Sequence, residues 1–66
     1  MDHAMLARVL SKNAEILAIS IKVDGMKTAN MERYSKGESL AYPDSEFSRC
    51  ADEVLGKANE LFQISF

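Results

Sequence analysis

Between Phe47 and Phe62 the apolar positions return every three or four residues. Phe47, Cys50, Ala51, Val54, Ala58, Leu61 and Phe62 share one face of a helix, and Arg49, Asp52, Glu53, Lys57 and Glu60 share the other. Pro43-Asp44-Ser45 precedes the run. Pro suits a first turn, and Asp or Ser can accept hydrogen bonds from free N–H groups there. Glu46 suits the positive end of the macrodipole. The pattern predicts a helix over about 44–63. Gly56 lies inside it and costs ~1 kcal/mol relative to Ala, a cost that close packing of two helices would explain.

The N-terminal pattern is longer. Met5, Leu6, Val9, Leu10, Ile16, Leu17 and Val23 fall within one broad arc at ~100° per residue, with Arg8, Lys12, Glu15 and Lys22 opposite. No Pro occurs before Pro43. The prediction is a helix from about 3 to 34, with Asp24-Gly25 as the candidate point for a kink and its continuity there left open. A competing pattern exists: Ile19-Ser20-Ile21-Lys22-Val23 alternates with period two, and Asp24-Gly25 is a hairpin-turn signal, which would make 18–24 a strand. The following residues, Met26 to Arg33, read poorly as a return strand. Residues 35–43 form the connection, punctuated by Gly37 and Pro43. It is longer than a tight turn between helices needs, and Leu40 and Tyr42 can fold back onto them. The expected fold is therefore all-α: a helical hairpin with a long N-terminal helix, a connection and a shorter C-terminal helix. The chain forms a single domain over 1–66.

Helix lengths then raise a difficulty. A helix over 3–34 is about 48 Å long and one over 44–63 about 30 Å. Folded as a hairpin, the second leaves Met5, Leu6, Val9 and Leu10 without an intrachain partner. Such a patch is a contact site or an aggregation site, and a homo-oligomeric bundle, a homodimer or higher, is the simplest remedy. The 66-residue length points the same way. One small core rarely supplies more than about 3–5 kcal/mol without a staple. Cys50 is the only cysteine and His3 the only histidine, so neither a disulfide within the chain nor a Cys/His metal site is expected.

Apolar residues make up 47% of the chain and charged residues 27%, a globular composition. No apolar run approaches the ~20 residues of a membrane span, and Met1-Asp2-His3 lacks the basic start of a secretory signal. With one thiol, these features lead to the expectation of a cytoplasmic protein that does not engage membranes. The net charge of −2 argues against a DNA or RNA polymer as partner. The charge is uneven, however: residues 1–36 carry +2 and residues 37–66 carry −4. Two oppositely charged elements side by side would explain this, and so would a local basic pocket for an anion.

Polar residues interrupt the apolar face of the first helix. Asn13, Ser20, Lys27 and Tyr34 recur every seven residues and drift only ~20° per step. Beyond Gly25 the face carries Lys27, Asn30, Met31 and Tyr34 in place of Ile, Leu and Val. A buried amine or amide without a partner costs several kcal/mol. In a purely structural account, Asn13 sets register in a helix seam, and Lys27 reaches solvent or pairs with Asp24. In a functional account, a pocket forms between the latter half of the first helix and the connection. There Lys27 and Arg33 neutralise phosphate, Asn30 hydrogen-bonds a base or sugar, and Tyr34 or Tyr42 stacks on a ring. Cys50 reads as a core thiol. Ser and Lys side chains are present, but no base-and-orienter arrangement supports a nucleophile, so no enzyme and no cofactor are expected.

The stretch Gly25-Met26-Lys27-x-x-Asn30-x-x-Arg33-x-x-x-Gly37-x-Ser39-x-Ala41-Tyr42, followed by the Phe47 helix, resembles one found in small helical phage and prophage proteins. With the flanking amphipathic helices the resemblance spans most of the chain. Some small phage proteins of this kind act as sponges. They bind nucleotide-derived immune signals of the host, such as cyclic oligonucleotides or cyclic ADP-ribose derivatives, without cleaving them. The resemblance implies a phage origin, residence in the host cytoplasm and ligand contacts at Lys27, Asn30, Arg33, Ser39 and Tyr42. The helical face adds Tyr34. A second class of function competes with it: a helical protein–protein interaction module or inhibitor that presents its apolar face to a host or phage protein. A closed, anion-sized pocket lined by 27–42 would favour the first class, and an exposed apolar face over 5–21 the second.

Overall fold

The computed structural model describes residues 2–64 and contains two α-helices, α1 (His3–Ser35) and α2 (Asp44–Phe62), packed against one another. No strand occurs among the described residues. Residues 18–24, which carried the alternating pattern, are helical, and α1 runs through Asp24-Gly25 without a break. Helical periodicity over the whole of α1 outweighs five alternating positions that have no return strand to pair with.

Each end has an identifiable cause. The Asp2 carboxylate accepts a hydrogen bond from the Met5 amide at 2.7 Å, satisfying one of the free N–H groups of the first turn. At the other end of α1, Gly37 takes φ +71°, open to glycine at no steric cost. Its amide donates to the Tyr34 carbonyl at 3.1 Å, and the Glu38 amide donates to the Arg33 carbonyl at 2.9 Å. This pair of bonds is the Schellman arrangement that closes a helix and turns the chain away. The start of α2 differs from expectation. Extended Pro43 occupies the capping position and has no side-chain bond to offer, while Asp44 and Glu46 lie inside the first turn. Their contribution is charge at the positive end of the dipole, not a cap.

The helices are antiparallel with a fixed register. Lys12 pairs with Glu60, Glu15 with Lys57, and Asn30 with the backbone of Tyr42, residue numbers that add to 72 each time. Phe62 is thus level with Leu10, and only the first two turns of α1 project past α2. The coverage expected for that end needs correction in part. Met5 and Val9 are half-covered, whereas Leu6 and Leu10 are 44% and 59% exposed. At ~100° per residue Met5 and Val9 turn toward the side that α2 occupies, and Leu6 and Leu10 turn away. The chain after α2 also continues along α1, and Ile64 is buried. Gly56 needs a second correction: a Cβ added there would meet nothing within 4 Å. It does not serve close helix packing.

The result is a slab. The Cα trace measures 53 × 17 × 9 Å and its radius of gyration is 15.9 Å, against about 11 Å for a compact domain of this length. A layer one helix thick has little interior. Met26, Cys50 and Ile64 are the buried apolar side chains among the described residues. No described helix is long and apolar enough to cross a membrane.

Candidate functional site

Between the helices lies an open groove of roughly 320 Å³. Ile19, Val23, Phe47 and Val54 wall it, Cys50 and Ala51 line its α2 side, and Ser20, Asp24 and Lys27 supply its polar groups. Its origin is steric. The register sets Ser20 of α1 within one residue of the level of Ala51 of α2, and both short side chains line the groove between longer neighbours. The Ser20 hydroxyl donates to the Ile16 carbonyl at 3.1 Å, which leaves only its oxygen lone pairs open to a further bond.

The expected site residues are dispersed. Lys27 lines the groove. Asn30 and Tyr42 are brought together: the Asn30 amide donates to the Tyr42 carbonyl at 2.9 Å and its oxygen accepts the Tyr42 N–H at 3.0 Å. This two-point bond fastens the connection to α1 and orients Asn30, leaving it one N–H and one lone pair. Arg33 and Ser39 are exposed, and Tyr34 is 80% exposed. Arg33 lies ~120° around α1 from Lys27, so one chain does not bring both to a single point. The groove is open, lies further toward the middle of the chain and takes only Lys27 from residues 27–42, so it is not the closed pocket expected between the latter half of α1 and the connection. Phe47, Ser20 and Asp24 entered it only through the helix register.

Charge pairing divides the molecule. Lys12 bridges Glu15 and Glu60, Lys57 bonds Glu15 at 3.3 Å, and Arg49 binds Glu46 and Glu53 along its own helix. The hydrogen bonds from Lys57 and then Lys12 hold the Glu15 carboxyl below its ordinary range, and those to Glu60 and Glu15 raise Lys12. Glu46, then Glu53, raises Arg49. In contrast, Lys22, Lys27, Arg33 and Lys36 join no ion pair among the described residues. Lys27 does not pair with Asp24, one turn before it. No group of three or more His, Cys, Asp or Glu among the described residues could hold a metal ion.

Compared with protein-family models, curated proteins and solved structures, the chain matches none.

Proposed function

We propose that the chain is a non-catalytic binding protein, working as a homo-oligomer, that sequesters a small nucleotide-derived anion such as a cyclic nucleotide or an ADP-ribose derivative. The observation that carries this reading is the division of the cations. Those near α2 are held by carboxylates, while the four in 22–36 lack carboxylate partners, and one of them, Lys27, stands at an apolar groove containing Phe47. A cation beside an aromatic wall suits a phosphate attached to a flat ring. Asp24 and Ser20 can accept hydrogen bonds from a base or a ribose. The groove's volume and its few polar groups in an apolar lining are those of a small-molecule site. The resemblance of residues 25–42 to small phage proteins supports a phage-encoded protein that counters host immune signalling from the host cytoplasm. Titration calorimetry with a panel of cyclic nucleotides and ADP-ribose derivatives tests the reading. Binding is expected, with the ligand recovered unchanged. Absence of heat with folded protein would overturn it.

A second reading has its own observation. Leu6, Leu10, Leu17 and Ile21 are 44–64% exposed on α1, the surface expected of a helical module that binds another protein. Retention of a protein partner on that face, together with silence in calorimetry, would select it.

A further inference from the structure

The exposed apolar side chains of α1 follow a spacing that is the same read from either end. Leu6, Leu10, Leu17 and Ile21 are separated by four, seven and four residues, and Asn13 and Ala14 lie at the centre. All six are exposed, and at ~100° per residue they fall within a ~100° arc turned away from α2. A two-fold interface needs this property, because position i must meet j while j meets i. From this symmetry we propose that α1 pairs antiparallel with α1 of a second copy about a two-fold axis passing between Asn13 and Ala14. Leu6 then packs against the partner's Ile21 and Leu10 against the partner's Leu17. Asn13 lies beside the axis, where its amide fixes the register of the seam.

Two further observations select this occupant and this direction. The chain exposes 5057 Å², whereas a compact monomer of 7.3 kDa exposes about 4,200 Å². The excess, roughly 900 Å², is close to the ~800 Å² per partner that a standard interface covers. Charge decides the direction. In a parallel in-register pair Asp24 would face the partner's Asp24 inside the seam, a like-charge contact. In the antiparallel pair Asp24 meets the first turn of the partner's α1 at the level of His3, the positive end of that helix dipole. Asp24 also lines the groove, so interface and groove adjoin. The pairing stands whether or not the groove takes a ligand.

Disulfide trapping tests it. Leu10→Cys and Leu17→Cys chains are prepared separately, with the wild type as control for buried Cys50, then oxidised alone and as a mixture. The expected product is a mixed disulfide linking position 10 of one chain to position 17 of the other, formed in the mixture only. Like positions are offset by seven residues, about 10 Å along the axis, and each variant alone gives no dimer. Disulfides within each separate variant would show parallel pairing, and no product in the mixture would overturn the proposal. Sedimentation of the wild type needs no substitution: a dimer is expected at micromolar concentration, and a stable folded monomer there would also overturn it.

Discussion

The two flanks of α1 carry similar residues and meet different surroundings. On one flank Met5, Val9, Ile16, Ile19, Val23 and Met26 are buried or half-buried on the side that α2 covers. On the other, Leu6, Leu10, Leu17 and Ile21 face outward. The difference teaches that α1 has two apolar seams and the hairpin fills one of them. The polar groups follow the same division. Lys12, Glu15, Lys57 and Glu60 tie the covered flank together, while among the described residues no ion pair reaches the outer stripe.

The largest expected effect lies on the covered flank. Met26 is 3% exposed, and Met26→Ala should cost about 2–5 kcal/mol, enough to unfold so small a domain. Denaturation followed by circular dichroism checks it. Leu17→Ala sharpens the contrast. It should lower the melting temperature at high protein concentration and have little effect at high dilution, because its partner atoms belong to a second copy. An equal effect at both concentrations would place Leu17 in an intrachain core. Next comes Asn30→Ala, which removes both bonds to Tyr42 and should cost about 1–3 kcal/mol of stability, read from a denaturant titration. Lys27→Ala, exposed at the groove and outside that bond pair, should leave helicity nearly unchanged and weaken ligand binding by roughly 1.5–3 kcal/mol. Gly25→Ala and Gly56→Ala meet open space in this structure and should each stabilise by about 0.5–1 kcal/mol.

The smallest effect is electrostatic. Glu15 is held below its ordinary value of 4.5 by Lys57 and Lys12. Its contribution is therefore complete above that value and lost as pH falls through the lowered folded value. Lys12 is raised above 10.5; its contribution is complete below that value and lost as pH rises through the raised one. Melting curves should show slight losses at both extremes, reduced further by salt. A strong pH dependence near neutrality would contradict this ranking.

The helices themselves were legible in the sequence. Phe47 to Phe62 repeats at helical spacing, α1 has no proline, and Gly37 and Pro43 mark the turn; such signals act over a few residues and need no distant partner. The cap at Asp2 and the positive φ of Gly37 are equally local in cause, but they emerged only with the structure. The site was legible only in part. Lys27 stood out as a cation on an apolar face, and the structure sets it at the groove. The other wall could not be read, because no local pattern links Ser20 to Ala51 or Asn30 to Tyr42. Those neighbours follow from the antiparallel register, which pairs residues twelve to forty-eight positions apart. Which of two apolar flanks α2 would cover was equally undetermined by periodicity, since both repeat at helical spacing. The tertiary structure decided it by leading the chain out of Gly37 and tying Tyr42 to Asn30, and that choice left Leu6, Leu10, Leu17 and Ile21 on the outside.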